Sequence, residues 1–267
     1  MRVVHVSYKH IFALGYVVLV LFVLMHFMHT NYLISSVSQS MRLLPIYKVD
    51  TPEQQVAISF DASWGAEHTK EILDILDRYQ VKTTFFLVDI WIKDYPDMAK
   101  EIVARGHEIG LHSATHPHFT QLSTAEMEEE LKSNAQTIFN TTGFQPVLFR
   151  PPFGDYNNSV ISTTEALGYT AIQWSVDSLD WKDLSAVDIQ NRVLKRIGPG
   201  DIVLFHNNGK HTAEALPAIL DALKQKNLSV VPISQLLLKG DYYIDYNGIQ
   251  RQKPASSAND VELTISP

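Results

Sequence analysis

Between residues 56 and 233 the chain alternates short apolar runs with longer amphipathic ones, and this alternation narrows the possible folds more than any other feature. Seven runs read as strands, at 56–61, 82–87, 107–111, 147–150, 170–175, 201–205 and 229–233. They are rich in Val, Ile and Phe with little polar alternation, as strands buried on both faces are. Helical segments lie between most of them. The segment 68–79 places Ile72, Leu73, Ile75, Leu76 and Tyr79 on one side. Ser123-Thr124-Ala125-Glu126 has the form of a capping box, so a long helix is expected to begin there and to end near Thr142-Gly143. Segments 188–197 and 212–226 complete the set. Strands alternating with helices predict a parallel α/β fold, and seven strands suit a barrel better than an open sheet.

In such barrels the reacting groups come from loops at the carboxyl ends of the strands. Here successive strand ends carry Asp61, then His112-Ser113-Ala114-Thr115-His116, then Arg150-Pro151-Pro152-Phe153-Gly154, then the segment 177–181, then His206. One such group means little, but five at equivalent places point to one shared site. On a helical turn the i, i+4 spacing of His112 and His116 puts both imidazoles on one face, where they can hold a divalent metal. Two surface or capping histidines would show the same spacing. The preceding buried strand, the neighbouring His118 and a carboxylate opposite favour the metal, and neutral imidazole suits zinc, cobalt or nickel better than magnesium or calcium. His206 reads either as a satisfied core histidine or as a general acid. Asp61 reads either as a cap of the next helix or as a general base, which Arg150 would keep ionised and oriented. The absence of cysteine excludes disulfides, thiolate metal sites and cysteine nucleophiles. A formal net charge of -7 argues against a nucleic-acid partner.

In this order the residues resemble the polysaccharide deacetylases of carbohydrate esterase family 4, the NodB-homology domain. The resemblance runs over about residues 56–238, through Ser59-Phe60-Asp61, the two-histidine segment, Arg150 to Gly154, the segment 177–181 and Leu204-Phe205-His206. Gly106-His107-Glu108-Ile109-Gly110 also matches. The N-terminal apolar segment together with Phe60-Asp61-Ala62-Ser63-Trp64-Gly65 resembles a sporulation-associated, membrane-anchored branch. The family resemblance implies a distorted (β/α)7 barrel acting as a hydrolase on an N-acetylated polysaccharide such as peptidoglycan. A monomer is expected. It also implies roles. His112 and His116 would bind the metal, zinc or else cobalt or nickel. Asp61 would accept a proton from water and His206 would protonate the leaving amine. Asp180 would orient His206, and Arg150 would orient Asp61. The backbone N–H of Phe153 would help hold the oxyanion, a donor of a kind worth about 3 kcal/mol. Trp181 and Leu204 would line the slot for the acetyl methyl.

One departure stands out. The family pattern has a second aspartate, a metal ligand, where this chain has Ala62. Metal affinity should fall. Asp61 could ligate at the expense of the base, His118 or Glu67 could swing in, or the metal is bound weakly or not at all. Three functions stay open: a metal-dependent N-deacetylase, a glycan-binding homologue without turnover, and an O-acetyl esterase on the same scaffold.

The N-terminus carries a separate signal. Residues 11–28 are almost wholly apolar, and no Asp, Glu, Lys or Arg lies between Lys9 and Arg42. A run of about 20 apolar residues crosses a bilayer as a helix. Arg2 and Lys9 would keep the N-terminus cytoplasmic and place the rest of the chain outside. A cleaved signal peptide is the alternative, but the run is long and Tyr32-Leu33-Ile34-Ser35-Ser36 is a poor cleavage site. The expected organisation is a cytoplasmic N-terminus at 1–10, a transmembrane anchor at 11–30, a linker at 31–55, the catalytic domain at 56–239 and a C-terminal tail at 240–267 that loses the strand–helix pattern and reads as flexible only in its last third, at 255–260.

Overall fold

The structure is a computed structural model that describes residues 16–29 and 42–254. The chain divides into two compact units after Arg42. In the first, residues 16–29 form helix α1 with every side chain exposed. Among the described residues no helix is long and apolar enough to cross a membrane. The span expected at 11–30 reaches beyond the described residues at both ends, and the segment 32–36 lies outside them.

The second unit is built on strands β1 (Lys48–Val49), β2 (Gln55–Ala62), β3 (Thr84–Leu87), β4 (Glu108–Leu111), β5 (Leu148–Phe149), β6 (Thr170–Ala171), β7 (Val176–Asp177), β8 (Ile202–His206) and β9 (Ser229–Val230). The main sheet runs β6-β5-β4-β3-β2-β8-β7, with β9 added beside β2, and every pairing in it is parallel. Seven parallel strands thus curl into a half-barrel. The expected barrel is open because the strand foreseen at 170–175 is split. Its first residues pair with β5, and the chain then crosses to the opposite edge, where β7 pairs with β8.

The lead-in to the domain bridges that opening. Ile46 pairs in parallel with Ile172, and Lys48 pairs antiparallel with Asp201. Ile46 and Val49 are fully buried. The expected linker is therefore part of the fold from Leu43 onward. The expected tail is also corrected over its first half. Strands β10 (Tyr242–Ile244) and β11 (Ile249–Gln252) join β1 in a three-stranded sheet ordered β1-β11-β10. These strands are too short to show alternation, and buried Gln250 ties them back by accepting from the Leu238 amide and donating to its carbonyl. Residues 255–267 lie outside the described residues.

The helices are α2 (Thr69–Tyr79), α3 (Asp89–Asp94), α4 (Pro96–Ala104), α5 (Thr124–Thr142), α6 (Asn158–Ala166), α7 (Ala186–Leu194), α8 (Thr212–Gln225) and α9 (Ile233–Leu236). Helix α5 carries the expected capping box between Ser123 and Glu126 and ends on Gly143 at φ 74°, a backbone state glycine adopts without steric cost. Helices α2 and α8 lay Ile72, Leu76, Leu216 and Ile219 against Ile58, Phe60, Phe85 and Phe205 of the sheet, all fully buried. Each such side chain contributes about 1.5–3 kcal/mol, which gives the strand ends a rigid base.

Candidate active site

Strands β2 and β8 are neighbours in register, with Asp61 opposite His206 at their carboxyl ends. Strands β4, β5 and β7 deliver the two-histidine loop, Arg150 and the 177–181 turn to the same end of the half-barrel. They enclose a groove of about 610 Å³. Of the nine residues expected at the site, Asp61, His112, His116, Phe153, Trp181, Leu204 and His206 line this groove. Arg150 and Asp180 lie beneath it, both fully buried.

Each of the two buried groups holds one groove residue. Arg150 Nη1 donates to Asp61 Oδ1 at 2.7 Å. Its Nη2 donates to the Gln173 carbonyl at 3.2 Å, and the guanidinium lies 4.1 Å over the Phe86 ring. Burial pushes the Asp61 carboxyl up, but Arg150, His112 and His206 together outweigh it and hold the group below the usual carboxylate range. Asp180 plays the opposite part. Its Oδ1 lies 2.8 Å from His206 Nδ1, and its Oδ2 accepts from the His206 amide and the Thr212 hydroxyl, both at 2.7 Å. Burial alone would lower the His206 pKa, but the hydrogen bond and charge of Asp180, with Asp61 and Asp177, raise it. A carboxyl biased toward its ionised form thus faces an imidazole biased toward its protonated form.

The two-histidine segment is not helical. Ser113 and His116 both adopt left-handed backbone, at φ 77° and φ 60°. Glu130 of α5 holds this strained loop, accepting from the Ala114 amide at 2.9 Å, the Thr115 amide at 2.8 Å and the Thr115 hydroxyl at 2.6 Å. Asn134 accepts from the His112 amide at 2.9 Å. The loop still brings the two rings together, 5.0 Å between centroids. His112 Nδ1 lies 2.7 Å from the Arg150 carbonyl, which can only accept, so Nδ1 carries the proton. Nε2 then presents a lone pair 3.6 Å from Asp61 Oδ2. Burial lowers both histidines, His116 to about 4. Sequence reasoning missed Glu130 and Asn134, whose distance along the chain hides them. It also missed Trp64 and Trp174 as groove residues.

A metal centre of the kind expected needs three protein donors. Ala62 supplies none, and its methyl is buried in the core cluster. His118 is stacked on Phe153 at 4.3 Å with its Nδ1 3.5 Å from Asp155. Glu67 does not line the groove. Among the described residues no group of three or more His, Cys, Asp or Glu could hold a metal ion. The residues present do not fit the three-ligand site that the family resemblance implies.

Residues 48–172 match the family model for polysaccharide deacetylase. Among curated relatives, the uncharacterised YlxY of Bacillus subtilis (strain 168) is 34% identical over 74% of this chain. Listeria monocytogenes PgdA, a peptidoglycan-N-acetylglucosamine deacetylase, is 35% identical over 72% of it. The chain spans only 62% of YlxY and 41% of PgdA. A peptidoglycan-N-acetylglucosamine deacetylase of Bacillus cereus is 33% identical over 72% of this chain and 92% of its own length. Among solved structures, a CE4 family pseudoenzyme from Bacillus anthracis superposes with a TM-score of 0.70 at 33% identity, over 74% of this chain and 70% of that one. A mutant of that pseudoenzyme is described as having restored enzymatic activity. Sequence motifs, half-barrel and relatives agree, and the chain belongs to the polysaccharide deacetylase family.

Proposed function

We propose that the chain is a deacetylase-type hydrolase acting on an N-acetylated cell-wall glycan such as peptidoglycan. The observation that carries this is the acid–base pair. Environments that push two titratable groups apart assign them opposite tasks, and here Asp61 is lowered while His206 is raised across one groove. A water entering the groove gives its proton to Asp61 as its oxygen bonds to the acetamido carbon. By the family resemblance the Phe153 N–H would hold the oxygen of the tetrahedral centre, from a turn where Phe153 stands at φ 61°. His206 then hands its Nε2 proton to the nitrogen, the C–N bond breaks, and acetate and a free amine leave. Peptidoglycan as substrate draws support from the names of the Listeria and Bacillus cereus relatives.

Acetate release tests the proposal. Chitooligosaccharide and peptidoglycan fragments are incubated with the full chain over a zinc, cobalt and nickel panel. Release abolished by Asp61→Asn and by His206→Ala is the expected result. No acetate from either substrate across the panel would refute it.

A second function is favoured by Ala62 and by the pseudoenzyme relative: a glycan-binding homologue without turnover. It predicts binding without acetate. Ala62→Asp separates the two, since a rise in both bound zinc and acetate release would show that the missing ligand limits catalysis. We also propose a single-pass anchor at 11–30 with the domain outside the cytoplasm. The exposed apolar side chains of α1, among them Leu19, Phe22 and Met25, support it. Protease access to the domain in intact cells tests it, and protection until the cells are opened would overturn it.

A further inference from the structure

The half-barrel has two ends, and the groove occupies only one of them. The strands run toward the groove, so the helices that return the chain run away from it. Helix α2 ends shortly before β3, α7 shortly before β8, and α8 shortly before β9, which pairs with Gln55 and Val56 at the start of β2. The carboxyl ends of these three helices therefore gather at the amino ends of the strands. They carry Arg78, Lys195, Arg196, Lys224 and Lys226, all exposed. The cluster is continuous. Lys226 Nζ donates to the Leu194 carbonyl at 3.2 Å, which joins the ends of α7 and α8, and Arg78 and Lys224 border one cavity.

Among the described residues none of the five forms an ion pair. Asp74 and Asp77 of α2 are taken by Lys70, Lys82 and Arg105. That leaves Asp221, beside Tyr79, and Glu53, ahead of β2, to offset the cluster. A chain of formal net charge -7 thus gathers positive charge on one face, while Asp61 and Asp177 line the groove at the other end. Helix dipoles favour a cation at each of three helix ends, yet five stand here. The cavity between Arg78 and Lys224 measures about 610 Å³ and is floored by Leu220, Leu223, Leu228 and Val230. A cationic rim over an apolar floor matches the phosphate and glycerol region of a phospholipid, where anionic and apolar groups adjoin. We propose that this face docks on an anionic phospholipid surface and so turns the groove away from the bilayer, toward the wall glycan. The setting rests on the anchor proposed above, whereas the charge pattern does not.

The chain has no cysteine, so a single introduced one takes a fluorophore at one place. Gln225→Cys marks the basic face and Asn208→Cys the groove end. The full chain is reconstituted in phosphatidylcholine vesicles with and without phosphatidylglycerol, and energy transfer to a headgroup acceptor is read. Transfer from position 225 should rise with phosphatidylglycerol and fall back in about 1 M salt, where the Debye length is about 3 Å. Transfer from position 208 should not rise. A basic residue near an anionic leaflet raises its occupancy about fivefold. The variant Arg78→Gln/Lys195→Gln/Lys224→Gln should therefore lower the ratio of docked to undocked chain about 100-fold. Lys210→Gln, at the groove end, should dock as the parent does. Equal transfer from position 225 in both lipids, or a triple variant that docks like the parent, would overturn the proposal. So would binding of a soluble poly(glycerol phosphate) with no gain on vesicles, which would assign the face to a wall polymer. Flotation separates the anchor from the docking. A chain that floats only with phosphatidylglycerol vesicles keeps the docking and loses the anchor, and one that floats with neither loses both.

Discussion

Arg150→Met is expected to be among the most damaging single changes outside the apolar core. Arg150 is fully buried and donates to Asp61 at 2.7 Å. Two unit charges at that distance, with an effective dielectric of about 20, attract by roughly 6 kcal/mol before desolvation is counted. Methionine fills much of the space but leaves the Asp61 carboxylate buried without its partner. Breaking a buried pair in this way costs about 3–5 kcal/mol. With an m-value of about 2 kcal/mol/M, the urea midpoint should fall by about 2 M. The double variant Arg150→Met/Asp61→Leu removes the orphaned charge and should recover part of the loss, a coupling of about 2 kcal/mol. The deficit should also depend on pH. In the parent chain Asp61 is held below its unfolded value, so its contribution is complete above about 3.9 and is lost as pH falls through the lower folded value. In Arg150→Met the largest lowering influence is gone and burial pushes the carboxyl up. That variant is most penalised at neutral pH and recovers as the carboxyl protonates. The gap between the two proteins should therefore narrow between about pH 7 and about pH 4. Single-variant losses that add in the double variant to within about 0.5 kcal/mol would refute the paired-charge account.

Three further outcomes are expected. Asp180→Asn removes the main influences that raise His206, so the NMR titration of His206 should move to lower pH. The stability that this pairing adds in the parent is complete below the unfolded histidine value and fades as pH rises through the raised one. His107 is buried and pulled by burial down to about 4, so the unfolded chain takes up its proton first on acidification. Stability should fall by about 3 kcal/mol as pH drops from about 6.5 to about 4, and His107→Gln should flatten that slope in urea titrations. Glu130→Ala frees the 112–116 loop from its three hydrogen bonds. Amide exchange at Ala114 and Thr115 should speed up by more than tenfold, for a loss of about 1.5–3 kcal/mol per charged hydrogen bond.

What the sequence shows of this fold and site, and what it hides, follows from the range over which each feature is decided. The capping box of α5 is local, since Ser123 and Glu126 satisfy each other within one turn. The Asp61–His206 register follows from apolar runs that read as strands wherever they occur. The split at 170–175 is decided elsewhere, because Ile46, more than a hundred residues earlier, occupies the edge beside Ile172. The two-histidine spacing likewise says nothing of backbone state. Ser113 and His116 stand at left-handed geometry in a loop that Glu130 ties to α5 and that the His116 amide closes on the Ser113 hydroxyl. A large aromatic directly before a strand-end glycine was a visible signal for Trp64, though nothing in the pattern tells an exposed ring from a buried one.

The same physics acts differently on the two parts of the candidate site. Asp61 and Arg150 form a buried charge pair, and losing either strands the other at a cost of about 3–5 kcal/mol. Asp180 is fully buried with two hydrogen bonds on Oδ2 and His206 on Oδ1. Removing it leaves those donors without an acceptor. Stability therefore opposes loss of the acid–base residues whether or not the chain turns over substrate. Position 62 is under no such restraint. A methyl there packs in the core cluster and needs no partner, whereas a carboxylate in the same place would need a cation beside it to avoid a desolvation cost. An intact Asp61–His206 geometry is thus a necessary feature of an active enzyme but also what folding alone preserves. Zinc content and acetate release of Ala62→Asp bear most directly on function, because they probe the position where folding favours the methyl and the expected metal ligand is absent.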